Sequence, residues 1–384
     1  MIVHMDADCF FVSVERAKNS ALQGRAVVVG GDVRGVVSSA SYEARSVGVR
    51  SAMPIWEAKR LCPGAVFLPV DMESYSQMSA RLFELLDRFS PFVERCSVDE
   101  GYLDISYSND PIQTARDLQS AVKGELGITI SLGIATSKLV AQIAGKMNKP
   151  EGFTYVEPGT EQGFLAPLDI SWLPGFGPKT TARIKAQGIA TIGAIACMDA
   201  AQAKQVFGHS SAQVIEWARG IDGSAVDWEK RDPKSYGEQE TFDVNTSDMD
   251  FVLCKMKSMA DRLMSRVRGD RKYIFVVEVR LRTPTFYERV KSTTLKLQTD
   301  NEEDVYPHIV TMLGLIWDGH PVRLAGVKFG RVTSHPPNME MNLFPCEKRV
   351  SVTRVLDKLR TVVGDDKIIR AHCLVTKKRE PRGD

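Results

Sequence analysis

The chain should fold as a multidomain α/β protein, and three observations predict it. Its 384 residues exceed what one ordinary hydrophobic core supports, so two to four domains are expected. Residues 1–165 alternate short apolar strands with amphipathic helices, the pattern of helices layered on one sheet. After a strand-free stretch at about 166–230, residues 235–333 read strand, helix, strand, strand, helix, strand. That order makes one sheet covered on one face by two helices.

In the first region "MIVHMDADCFF" reads as a buried strand, and "FVSVERAKN" takes up helical spacing. "AVVVG" and "GVVSSAS" are short strands about a Gly-Gly-Asp turn, followed by helical "YEARSVGV" and "PIWEAKRL". "SYSQMSARLFELLDRFS" is an amphipathic helix closed by Ser-Pro, and "CSVDEGYLDIS", Cys96 to Ser106, is a strand or strand pair. The helix "PIQTARDLQSAVKGEL", the strand "ITISLGIA" and the helix "SKLVAQIAGKMN", stopped by "KPEG", complete the layer. Residues 166–230 hold two short helices about the turn "PGFGP" and a third in "AQVIEWARGI", a small helical domain. "DWEKRDPKSYGEQ" is a polar linker, with residues 231–240 leading into the last sheet. On that sheet's strands Arg280, Arg282, Lys291 and Lys296 take polar positions, so its open face should be basic.

Composition narrows the function. With 43% hydrophobic and 26% charged residues, this is the composition of a soluble globular protein. No apolar run reaches the roughly 18 residues of a membrane span, and the start lacks the features of a secretory signal. Seven cysteines without a CxxC pair argue for reduced thiols and a cytoplasmic setting. The histidines and cysteines never cluster at zinc-ligand spacing. Residues 1–165 carry 16 Lys+Arg against 20 Asp+Glu (−4), and residues 231–384 carry 28 against 22 (+6). An acidic front and a basic back suit a site that gathers cations at one end and polyanions at the other.

The acids are the informative feature. Asp6 and Asp8 end the first strand; Asp99 and Glu100 stand side by side in "SVDEGYLD", with Asp104 behind. A carboxylate in apolar surroundings is costly unless something positive meets it. If the two strands are neighbours, three or four carboxylates converge, and an oxygen-only cluster is a site for hard divalent cations, Mg²⁺ above all. Two such ions can activate an attacking hydroxyl and neutralise a phosphate leaving group.

"HMDADCFFVSVE", "YEARSVGVRSAMPIWEAKRLCP", "SVDEGYLDIS", "LGIATSKLVAQIAGKMNKPEG" and "LPGFGPKTTARI" occur in the order and spacing of the Y-family translesion DNA polymerases. The chain most resembles their DNA polymerase IV branch, from residue 1 to about 333. The resemblance implies a right-hand polymerase. It would have a ferredoxin-like palm at 1–17 and 74–165, small fingers at 18–73 and a helical thumb with a helix-hairpin-helix at 166–230. A β-α-β-β-α-β little finger at 235–333 and a tail at 334–384 would follow.

Carried over position by position, the resemblance implies metal ligands at Asp6, Asp99 and Glu100, helped by the Ala7 carbonyl, with Asp8 in support. Two Mg²⁺ ions, with Mn²⁺ as a substitute, would serve attack of a primer 3′-hydroxyl on the α-phosphate of a dNTP. Phe11 would be the aromatic gate that excludes a 2′-hydroxyl by collision, with Phe10 beside it. Tyr42, Arg45 and Lys149 would bind the triphosphate, and Ser39 and Met53 would line the roof over the base pair. Gln142 stands where relatives often carry Lys, so no DNA contact is assigned there. Gly175, Gly177 and Lys179 would offer backbone N–H groups and charge to a DNA phosphate, and the basic little finger would dominate salt dependence. "EMNLF", with Met341, Leu343 and Phe344 as anchors and Glu340 in place of the usual Gln, resembles a sliding-clamp peptide. The expected partners are primer–template DNA, dNTPs and the clamp, with no membrane, for a monomer. No second acidic cluster suggests proofreading, so low fidelity is expected. Other classes stay open at this point. Nucleotidyl cyclases share paired acids on a similar sheet, but would need neither the hairpin-helix domain nor the basic sheet. A restricted nucleotidyl transferase or a catalytically idle DNA-binding subunit would keep much of the chain.

Overall fold

The computed structural model describes residues 1–31, 34–229, 232–336, 347–364 and 368. It divides into two compact units, Met1–Lys230 and Arg231–Asp384.

In the first unit, β1 (Ile2–Ala7) is the middle strand of a five-stranded sheet. Val3, Met5 and Ala7 enter one core, while Ile2 enters a second and His4 is fully buried. Both faces are covered, which is why the strand reads as nearly continuous apolar residues. The strand is shorter than its sequence suggests. It ends at Ala7, and Cys9 at φ 44 turns the chain so that Phe10 and Phe11 open α1 (Phe10–Lys18). A non-glycine residue in this left-handed region costs about 1 kcal/mol, a local strain that the two flanking elements maintain.

β2 (Val27–Gly30), β3 (Val37–Ala40), α2 (Tyr42–Ser46), α3 (Ile55–Leu61) and β4 (Val66–Leu68) form a small layer with its own core around Val28, Val37 and Ile55. The chain returns to the large sheet through α4 (Met72–Leu86), β5 (Val93–Arg95), β6 (Glu100–Asp104), α5 (Pro111–Leu126), β7 (Ile130–Ala135), α6 (Lys138–Met147) and β8 (Phe153–Tyr155). The strand order is β5-β6-β1-β7-β8. Helices α1, α4 and α5 pack on the Val3–Met5 face, and α6 packs on the other. α6 lies unusually close, because Gly133 and Gly145 meet backbone to backbone. A Cβ at Gly133 would collide with the Ala141 carbonyl and the Gly145 amide.

The helical region holds α7 (Glu161–Leu165), α8 (Pro178–Lys185), α9 (Ile192–Ala196), α10 (Ala200–Phe207) and α11 (Ser211–Ala218). The helix expected before the "PGFGP" turn is only a 3-10 turn, Ile170–Trp172.

The second unit contains β9 (Ser235–Thr246), α12 (Met249–Gly269), β10 (Ile274–Arg282), β11 (Glu288–Thr299), α13 (Tyr306–Ile316) and β12 (Val322–Gly330). Its sheet runs β11-β10-β12-β9, all antiparallel, with both helices packed on the face carrying Val277, Val279 and Phe329. α14 (Glu347–Val363) joins this unit through ion pairs: Asp357 to Arg268 at 2.6 Å and Arg360 to the buried Asp261 at 3.2 Å. Cys9, Cys62, Cys96 and Cys197 are free thiols, whereas Cys254 is in a disulfide, which corrects the expectation of uniformly reduced cysteines. Among the described residues no helix is long and apolar enough to cross a membrane.

Candidate active site

The register of the large sheet joins the acids. β6 runs antiparallel to β1 with Asp6 opposite Glu100, and the Ala7 N–H donates to the Asp99 carbonyl at 2.9 Å. Asp6 and the sequence-distant pair Asp99–Glu100 therefore leave adjacent backbone positions at one end of the sheet. Each is held by protein groups. Lys149 Nζ lies 2.5 Å from Asp6 Oδ1, and the Ser97 hydroxyl donates to Asp99 at 2.6 Å. Glu100 Oε1 meets His4 Nε2 at 2.8 Å, Gln142 Nε2 at 3.0 Å and Lys146 Nζ at 3.3 Å. The expectation that the carboxylates converge on one point thus holds for the backbone but not for the side chains. Among the described residues no three His, Cys, Asp or Glu groups are assembled to hold an ion. The donor set itself, all oxygen and mostly anionic, is nevertheless the chemistry that hard divalent cations take.

The two paired carboxyls shift in opposite directions. Burial pushes Asp6 above the usual carboxylate range despite the opposing Lys149 charge. The hydrogen bond from His4 leads in holding Glu100 well below it, with Gln142 and Lys146 adding to that effect against burial.

Asp8 is different in kind. It is 2% exposed and accepts from the Ser131 hydroxyl and the Glu151 N–H, both at 2.8 Å. Its oxygens tie β1 to β7 and to the turn that carries Lys149. An amide in place of this carboxylate would aim an NH₂ group at one of these donors. Asp8→Asn is therefore expected to cost about 1–3 kcal/mol of stability, read as a lowered urea midpoint of the first unit; an unchanged midpoint would contradict the assignment.

Phe11 lies flat on Tyr75, with ring centroids 4.2 Å apart and planes 11° apart, and Tyr75 donates its hydroxyl to Glu15 at 2.9 Å. Phe10 is 2% exposed in the core, so it does not line the site as expected; the first helical turn sends the two rings different ways. Ser39 is buried in β3 and Met53 packs against the small core. The Arg45 guanidinium donates to the Ala40 carbonyl at 2.9 Å and sits 5.1 Å from the Tyr42 ring centre. Tyr42 reaches Asp8 weakly, at 3.4 Å, and burial leads in pushing its phenol far above the usual tyrosine value. Tyr42 and Arg45 border an open cavity of about 660 Å³ completed by Ser46, Arg50 and Ser51. Arg50 was not anticipated. It donates to the Arg45 carbonyl at 2.6 Å, and the charge in "GVRS" was the only available signal.

In the helical region Gly175 adopts φ 81, a conformation that favours glycine, and Gly177 caps α8 with Lys179 exposed. On the second unit's sheet, Arg280 and Arg282 share the open face with Glu278 and Glu288 and pair with them: Arg280 is 3.5 Å from Glu278 and 3.7 Å from Glu288, and Arg282 also meets Glu288. The face is therefore charge-matched rather than simply basic. Lys291 is opposite the core residue Val279, which puts it on the helix-covered side, and Lys296 lies where the pairing register shifts between Thr294 and Thr299. Met341, Leu343 and Phe344 lie outside the described residues.

The comparisons with known proteins agree with this arrangement. The impB/mucB/samB family profile matches residues 5–146, and the profile of that family's C-terminal domain matches residues 233–341. The chain is similar to DNA polymerase IV of Opitutus terrae, with 40% identity covering 99% of this chain and 98% of that one. It also resembles DNA polymerase IV 1 of Bacillus subtilis, with 31% identity covering 100% and 95%. A Y-family polymerase chimera of Dbh and Dpo4 superposes with a TM-score of 0.78 at 26% identity, covering 87% of this chain and 99% of that one. An insertion ternary complex of Dbh DNA polymerase gives 0.64 at 25%, with the same coverage. The chain belongs to the DNA polymerase IV branch of the Y-family DNA polymerases and is a DNA-directed DNA polymerase of the translesion type.

Proposed function

We propose that this polymerase extends a primer on a template by two-metal-ion phosphoryl transfer at the junction of β1 and β6. The observation that carries this reading is the register that sets Asp6 opposite Glu100 with Asp99 bonded through its carbonyl to Ala7. Asp6, Asp99, Glu100 and the Ala7 carbonyl would hold two Mg²⁺ ions, or Mn²⁺ in substitution. Magnesium, when bound, lowers the pKa of the primer 3′-hydroxyl and neutralises charge on the triphosphate. The 3′-oxygen bonds to the α-phosphorus as the bond to pyrophosphate breaks. Lys149, now paired with Asp6, would exchange that carboxylate for phosphate oxygens, and Arg45, held by the Ala40 carbonyl, would meet the same phosphates. Phe11, backed by Tyr75, would lie under the sugar.

The palm would comprise residues 1–17 and 74–165, the fingers 18–73, the thumb 166–230 and the little finger 235–333. Gly175, Gly177 and Lys179 would hold a DNA phosphate, as would the open face carrying Arg280 and Arg282. Ion pairing to Glu278 and Glu288 attenuates that face. Arg282→Ala is accordingly expected to weaken primer–template binding equally across sequences and to reduce the salt slope by about 1 at most; fluorescence anisotropy across a salt series measures it. A slope unchanged would remove Arg282 from the DNA contact. The chain is proposed to act as a monomer and to reach a sliding clamp through 340–344.

A labelled primer on four templates, offered each dNTP singly with Mg²⁺, tests the reading. The expected result is addition that follows the templating base. One favoured nucleotide on all four templates would indicate a restricted transferase instead.

A further inference from the structure

Glu100 stands out for the number of donors that meet one of its two oxygens. His4 Nε2, Gln142 Nε2 and Lys146 Nζ all reach Oε1, at 2.8, 3.0 and 3.3 Å. Among the described residues none donates to Oε2. The donors come from two elements that pack from the same side: His4 from β1, fully buried, and Gln142 and Lys146 from successive turns of α6.

The close approach of α6 makes this convergence specific. Gly145 lies directly against His4, where a Cβ would come within 2.8 Å of Nδ1, and Nδ1 itself has no hydrogen-bond partner among the described residues. A carboxylate can only accept. The imidazole must therefore present a proton on Nε2, with Nδ1 turned toward the glycine. The Tyr102 ring, 5.0 Å away and tilted by 60°, closes the other side and fixes the orientation of the imidazole. Gln142 adds a neutral donor to the same oxygen.

From this convergence we propose that His4, Gln142 and Lys146 form a positioning clamp that saturates Glu100 Oε1, so that Glu100 presents Oε2 alone and ligates a divalent cation monodentately. The inference rests on the metal-site reading above. None of the three residues touches the reacting atoms; they act through Glu100, as outer-shell partners of metal ligands generally do.

The test uses the full chain with Mn²⁺ alone as the probe, titrated by electron paramagnetic resonance. It is paired with the Mg²⁺ concentration giving half-maximal primer extension. His4→Phe fills the same space without a donor, and Gln142→Leu removes the second donor should the first variant fold poorly. His4→Gln returns an N–H near the Nε2 position. The expected result is a Mn²⁺ Kd raised about 10-fold in His4→Phe or Gln142→Leu, a parallel shift of the Mg²⁺ requirement, and recovery in His4→Gln. Folded His4→Phe and Gln142→Leu proteins with wild-type Mn²⁺ affinity would overturn the clamp, as would a loss in His4→Phe that His4→Gln fails to restore. Glu100→Gln separates the two levels. If it lowers affinity while the clamp variants do not, only the clamp falls; if it too binds Mn²⁺ like wild type, the metal-site reading falls and the clamp with it.

Discussion

Asp99→Ala is expected to slow single-turnover nucleotide addition by at least about 1000-fold. A carboxylate that fixes a catalytic cation contributes several kcal/mol of transition-state stabilisation, and about 4 kcal/mol corresponds to that factor. The substitution should leave folding intact. Asp99 is half-buried, and the Ser97 hydroxyl and backbone groups are its protein contacts. Its backbone carbonyl, which accepts from Ala7, survives the change. Rapid-quench extension of a labelled primer, with DNA affinity and thermal melting measured alongside, separates chemistry from binding and stability. A rate within tenfold of wild type would remove Asp99 from the proposed ligand set.

Phe11→Ala should open the site to ribonucleotides. The ring lies parallel to Tyr75, which is itself buried and held through Glu15, so it has a rigid backing and little freedom to yield to an extra atom. Forcing an atom into a packed site costs about 1–3 kcal/mol. Selection for dNTP over rNTP is therefore expected to fall about 10- to 100-fold when the ring is removed. Competition between a dNTP and its ribonucleotide on one template reads the ratio directly. Unchanged discrimination would mean that another surface senses the sugar.

Much of this architecture was legible because its signals are local. The helix Pro111–Leu126 matches its sequence pattern at both ends, with Asp110 capping the start and Gly127 at φ 68 ending it. The three-residue strands β4, β5 and β8 are not legible because so short a run carries no periodicity, and β4 and β8 pair in parallel with strands across intervening helices. Phe10 and Phe11 could not be separated by composition. Only the left-handed turn at Cys9 decides which ring enters the core. The faces of Lys291 and Lys296 depend on the hairpin register and a bulge, which alternation along one strand does not reveal. At the site, residue types identified the acids, but the partners of those acids come from strand register and from the Gly133–Gly145 contact. His4 read simply as part of a buried strand, and Gln142 as a departure from pattern.

The central claim is that a divalent cation sits where β1 and β6 bring Asp6, Asp99 and Glu100 together. Fe²⁺ in place of Mg²⁺, with peroxide and ascorbate, generates hydroxyl radicals at the metal and cleaves the nearest backbone. Mapping the fragments should show cuts clustered around Asp6–Asp8 and Asp99–Gly101, suppressed by excess Mg²⁺ and absent from Asp99→Ala. Cleavage confined to other segments, or unaffected by Mg²⁺ and by the substitution, would contradict the account.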